Sequence, residues 1–141
     1  MTKIFLAASM NFYPKLLQLE SELKSRGFEV EIPVSAKIMR KNNDFIVDHF
    51  KGGYSNKEKS DFFRENLTNM KKCESILVIN EEKNGIKGYI GTSVIMEIGI
   101  AFYLRKHIYL WNELATDASY KPEIDAFEVV VINQDLEKIH V

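Results

Sequence analysis

Residues 75–80, SILVIN, set the tightest limit on the fold. The apolar run lacks the alternation of a half-exposed strand, so a strand here is covered on both faces. Residues 107–111, HIYLW, repeat the pattern. Such strands belong to parallel sheets flanked by helices, and the N-terminal third supplies the connecting unit. KIFLAAS (3–9) reads as a strand ended by small residues. Residues 11–27 carry Leu16, Leu17, Leu19 and Leu23 at helical spacing, with Pro14 in a first turn and Gly27 as the C-terminal cap. FEVEIP (28–33) alternates and stops at proline, as a strand does. Strand, helix and strand with a tight return make a βαβ unit.

The remaining segments fit the same plan. Residues 55–73 predict a helix capped by Ser55, with Phe62, Leu67 and Met70 on one side. Residues 92–104 predict another, 115–127 a loop with a short helix, and 128–133 the last strand. Residues 34–56, with Lys37, Arg40, Lys41 and a KGG turn at 51–53, predict a long excursion, and a helix within it stays open. The expectation is a single domain, 1–141: a three-layer α/β fold, flavodoxin- or Rossmann-like, with five parallel strands and helices on both faces.

Totals exclude several classes of function. The 141 residues suffice for one core. A net charge of -1 gives no electrostatic reason to expect a nucleic-acid partner, though a local site for a small anion remains compatible. Cys73 stands alone, so no internal disulfide or zinc spacing arises, which fits a reducing cytoplasm. No run approaches the roughly 18 apolar residues of a membrane span. The N-terminus reads as a first strand rather than a signal peptide.

In open α/β sheets ligands bind outside the carboxyl ends of the strands. Three segments should meet there: residues 8–13, 80–93 and 111–115. The helix that follows, GTSVIMEIGIAFYL (91–104), is apolar nearly all round except for Glu97. No basic residue lies one turn away. Two readings stay open: Glu97 faces solvent or pairs with a distant cation, or it is an ionised carboxylate, favoured by the helix N-terminus and able to act as a nucleophile. Gly91, Thr92 and Ser93 likewise form either an ordinary N-cap or an anion site of free amides and hydroxyls. No Gly-Lys-Ser/Thr follows the loop, and no glycine pattern follows the first strand, which weighs against ATPase and dinucleotide-dependent readings.

KIFLAAS, NLTNMKKCESILVI (66–79) and above all GTSVIMEIGIAFYLRKHIYLW (91–111) resemble the nucleoside 2-deoxyribosyltransferase-like family, which includes deoxynucleoside 5'-monophosphate N-glycosidases. The sharpest match is Glu97-Ile98-Gly99-Ile100-Ala101 after a glycine-containing loop. The resemblance implies cleavage or transfer at the N-glycosidic bond of a small-molecule nucleoside or nucleotide. Glu97 would be the nucleophile, no metal or organic cofactor would be needed, and the protein would form a homo-oligomer. It places Ser9, Phe12 and Tyr13 beside the sugar or base, and Thr92 and Ser93 at a 5'-phosphate. Phe12 also suits an ordinary core position. Tyr89 or Lys87 would reach in from the loop. Asn66 stands where the family usually carries an aspartate, and Gly91 where another often sits. An amide cannot donate a catalytic proton but still binds a base or sugar edge. Asp61, read as one turn back on the same helix, is a better replacement acid than Glu65, although both also suit a solvated face. A non-catalytic nucleotide-binding module of the same fold is the alternative.

Overall fold

A computed structural model describes residues 2–42 and 54–140. The KGG turn expected at 51–53 lies outside them. In chain order the elements are β1 (Lys3–Ala7), α1 (Tyr13–Ser25), β2 (Glu29–Glu31), α2 (Val34–Lys41), α3 (Asn56–Lys71), β3 (Ser75–Val78), α4 (Thr92–Tyr103), β4 (His107–Leu110), α5 (Lys121–Asp125) and β5 (Val130–Val131). The five strands run β2-β1-β3-β4-β5, every pair parallel. This is the expected doubly covered α/β sheet.

Alternate side chains of each central strand feed opposite layers. Ile4, Leu6 and Leu77 pack under Leu16, Leu19 and Leu23 of α1 and Met39 of α2. Phe5, Ile76 and Val78 pack under Met70 of α3, Ile98 and Ala101 of α4, and Ile124 of α5. Both faces are therefore dry, the physical reason that SILVIN shows no alternation.

Local signals set the helix ends. Ser55 Oγ accepts the Glu58 amide at 3.1 Å, and the Glu58 carboxylate accepts the Ser55 amide at 3.0 Å, a full capping box for α3. Pro14 sits in the first turn of α1, and Gly27, at φ +94, carries the chain away from its end.

The structure settles one open segment and departs from the sequence reading in one place. Residues 34–41 form the helix that the sequence left open within 34–56. Arg40 pairs with Glu20 of α1 at 2.7 Å, and Lys37 pairs with Glu31, so these cations dock α2. β5 keeps only two of the six residues expected. Glu128, Asn133 and Gln134 have φ of +59, +49 and +64, which ends regular pairing on both sides.

The loop between β3 and α4 is a tight hairpin. Lys83 pairs with Ile86 across Asn84 and Gly85, whose φ of +53 and +77 suit a primed turn. At its base Gly88 has φ +66, and a Cβ there would lie 2.0 Å from the Glu113 carbonyl oxygen. Only glycine fits this approach.

Candidate active site

A cavity of about 430 Å3 opens at the carboxyl edge of the sheet. Ala8, Ser9 and Met10, just after β1, form one wall, and Gly91 to Val94 with Glu97, after β3, form another. This is the crevice between β1 and β3 where the strand order reverses, the usual ligand position in such sheets. Pro33, Ser35, Tyr54 and one face of α3 complete the described lining.

Glu97 is 4% exposed. Among the described residues it has no hydrogen bond or ion pair. Burial pushes its carboxyl up to about 7. The helix N-terminus was expected to keep it ionised. Glu97 lies in the second turn of α4, beyond the reach of the end charges, so desolvation wins. The solvent-facing and ion-paired readings of this residue are thereby corrected.

The start of α4 also settles differently from one alternative. Gly91 is the N-cap, and no side chain caps the helix. Thr92 and Ser93 are the first two helical residues, both exposed, and their hydroxyls and the first amides point to no side-chain cap bond. An uncapped helix start on a cavity wall is suited to an anion.

Asn66 lines the cavity, and its Oδ1 accepts the Val34 amide at 2.9 Å, tying the first residue of α2 to α3. Ser9 lines it too, with Oγ bonded to Asn11 Oδ1 at 2.9 Å. The structure thus brings Glu97, Asn66, Ser9, Gly91, Thr92 and Ser93 together.

Asp61, Phe12, Tyr13, Tyr89 and Lys87, all predicted for the site, lie elsewhere. Asp61 is exposed and pairs with Lys57 at 3.2 Å. It precedes Asn66 by five positions, about 140° round the helix, so the two carry different faces. Phe12 and Tyr13 are buried in the layer under α1, because the chain turns into that helix directly after β1. Tyr89 packs edge-on to Phe12, ring centroids 6.3 Å apart, under the Lys83 ammonium. Its hydroxyl still comes within 4.0 Å of where a side chain on Gly91 would start.

Sequence reasoning missed Lys59 and Phe63 and gave Phe62 to the core. Lys59, Phe62, Phe63 and Asn66 stand at i, i+3, i+4 and i+7 on α3 and all line the cavity. That spacing was the available signal. Phe62 meets Tyr54 edge-on at 4.9 Å.

A second, larger cavity of about 700 Å3 lies along the same edge, between the 81–88 loop and the ends of β4 and β5. Lys87 lines this cavity, not the one holding Glu97. Asn112 and Gln134, also on this lining, are bonded to each other, and Asn112 also to the buried Asn80. Asn80 Nδ2 donates to the Asn112 carbonyl at 2.7 Å, the Asn112 amide donates to Asn80 Oδ1 at 2.8 Å, and Gln134 Nε2 donates to Asn112 Oδ1 at 2.9 Å. Among the described residues no three His, Cys, Asp or Glu side chains converge as metal ligands do, and no helix is long and apolar enough to cross a membrane.

No family model matches the chain, and no curated protein matches it significantly. Solved structures do, among them two enzymes. A 2-deoxyribosyltransferase from the psychrotolerant Bacillus psychrosaccharolyticus is 22% identical, covering 77% of this chain and 71% of its own, at a TM-score of 0.50. A CMP N-glycosidase from Clostridium botulinum is 17% identical, covering 94% and 89%, at a TM-score of 0.53. At these identities the likeness establishes the architecture: a single parallel α/β sheet of the kind found in those two enzymes.

Proposed function

We propose that this chain cleaves the N-glycosidic bond of a 2'-deoxynucleoside or its 5'-monophosphate, or transfers the sugar from it, with Glu97 as nucleophile. One observation carries the reading: a buried carboxylate without a protein partner among the described residues lines a cavity at the switch point of the sheet. Such a group costs stability and is typical of sites that use it chemically. The fold neighbours, a 2-deoxyribosyltransferase and a CMP N-glycosidase, support this bond as the target.

In the first step an ionised Glu97 oxygen attacks the anomeric carbon while the bond to the base nitrogen breaks, its electron pair leaving with the base. Water then opens the glycosyl ester, releasing the sugar and regenerating the carboxylate as a proton passes to solvent. A second base in place of water gives a new nucleoside. Two displacements retain configuration, as in retaining glycosidases. The uncapped amides of α4 and the Thr92 and Ser93 hydroxyls suit a 5'-phosphate, and Lys59 supplies a cation on the same lining. Ser9 is placed to contact the sugar. Asp61, Phe12 and Tyr13 have no part in this scheme, which requires no metal or organic cofactor.

The test is a panel of deoxynucleosides and their monophosphates, with free base followed by chromatography and Glu97→Ala as control. Base release by the native protein and none by the variant is expected. Nucleotide binding without release of any base would replace this reading by the alternative, a non-catalytic binding module. Asn66 favours that alternative, because Glu97 is the one carboxylate on the described lining.

A further inference from the structure

The departing base needs somewhere to put its electron pair, and the described cavity wall has one group built to meet it. The Asn66 side chain is held in a single sense. The Val34 backbone N–H can only donate, so the Asn66 atom 2.9 Å away must be the carbonyl oxygen. The amide nitrogen is thereby turned off the α2 terminus. It has no hydrogen-bond partner among the described residues, on a side chain that lines the cavity. An amide nitrogen held this way offers N–H bonds to an acceptor and never a proton.

The rest of the described lining does not supply the missing acid. Glu97 is the attacking group in this scheme and must be ionised when it attacks. Tyr54 and Lys59 bring a phenol and an alkyl ammonium, and the described lining holds no second carboxylic acid and no imidazole. Ser9, Ser35, Thr92 and Ser93 are weaker as proton donors than either.

Resting on the N-glycosidic reading above, we propose that Asn66 is a hydrogen-bond donor to the departing base, and that the site selects bases that leave as delocalised anions. Among pyrimidines these are N1-linked 2,4-diones such as uracil and thymine, preferred over cytosine. As the bond from the anomeric carbon to N1 breaks, the electron pair stays on N1 and spreads over the two flanking carbonyl systems. The Asn66 N–H donates to an oxygen on which that charge grows, and the anion takes its proton from water after release. Cytosine carries an amino group where the diones have a second carbonyl. Its anion is less stabilised, so it leaves well only when protonated first, and no group among the described lining residues does that. Donors aimed at developing charge lower a barrier without proton transfer.

The experiment compares release of 5-fluorouracil, uracil and cytosine from their 2'-deoxynucleoside 5'-monophosphates by the native protein and by Asn66→Asp. A carboxylate still accepts the Val34 amide, so the variant keeps the α2 anchor, and a thermal melt checks that it folds. For the native protein the rate should fall in the order 5-fluorouracil, uracil, cytosine, with about 100-fold between the last two, the scale of a missing general acid. Asn66→Asp should raise cytosine release by a similar factor below neutral pH, and should add a decline at higher pH as the new acid ionises. Cytosine leaving as fast as uracil from the native protein overturns the inference while leaving the glycosidic reading intact. So does an Asn66→Asp variant that changes all three rates equally. Release of no base from any substrate overturns the reading beneath it, and the inference with it.

Discussion

Two glutamates are buried in this molecule, and they are treated in opposite ways. Glu20, on α1, is 7% exposed and sits between Arg40 at 2.7 Å and Lys24 at 3.2 Å. Glu97, on α4, is 4% exposed and meets no cation and no donor among the described residues. The first carboxylate fastens one helix to another. The second stands on a cavity wall with its acidity set by desolvation alone, up to about 7. Burial by itself therefore does not mark a reactive group; the proposal for Glu97 rests on burial without a partner at a cavity wall. The two cavities teach the same lesson. On the larger one Asn112 is bonded to Asn80 and Gln134, whereas Glu97 on the smaller one has no such bond among the described residues.

The sharpest way to break this contrast is to neutralise each glutamate in turn. Glu97→Gln keeps the shape and removes the proposed nucleophile, so on that proposal base release should fall by at least about 1,000-fold, measured by single-turnover chromatography. Glu20→Gln should leave the rate unchanged. The native rate should rise with pH through about 7, because only the ionised Glu97 attacks.

Stability gives the next largest effect, and its sign is opposite to that of activity. The Glu97 carboxyl is raised in the folded protein above its unfolded value of 4.5. The folded state thus holds a proton that the unfolded state gives up, and this contribution is complete below about pH 4.5 and lost as pH rises through about 7. The loss amounts to about 3 kcal/mol, and Glu97→Gln should abolish it. Denaturant melts at pH 5 and pH 8 read this directly; a variant no more stable than the native protein at pH 8 would contradict the burial argument. Glu20→Gln should cost about 1 kcal/mol at pH 7, a modest figure because Arg40 and Lys24 keep their charged ends about half in water. Lys24→Ala should be smallest, a loss of about 0.3 kcal/mol, since Lys24 is itself exposed and makes a single-turn contact, and Arg40 still pairs with Glu20.

The central strands and both helix layers were legible because burial on two faces leaves an apolar run that local pattern reveals. Glu97 was legible for the converse reason, as one charge in an apolar helix. Its acidity was not, because desolvation depends on what closes over α4. Phe12 and Tyr13 were misplaced because an aromatic after a strand suits either a ligand edge or a helix start, and only packing under α1 decides. Asp61 failed on angle, something the 3.6-residue period already contained. The same period would have exposed Lys59, Phe62, Phe63 and Asn66 as one face. The Asn66 bond to Val34 spans 32 residues, and nothing local encodes it.

The close approach of Gly88 to the Glu113 carbonyl separates the tip of the 81–88 hairpin from its base. Beyond that clamp Asn84 and Gly85 are exposed at the turn, and Lys83 beside them reaches back over the Tyr89 ring. For protein engineering this makes the Asn84–Gly85 turn the natural splice point. A tag or reporter peptide inserted there lengthens only the arm outside the clamp, and leaves the chain that carries Gly91 and Glu97 in its place.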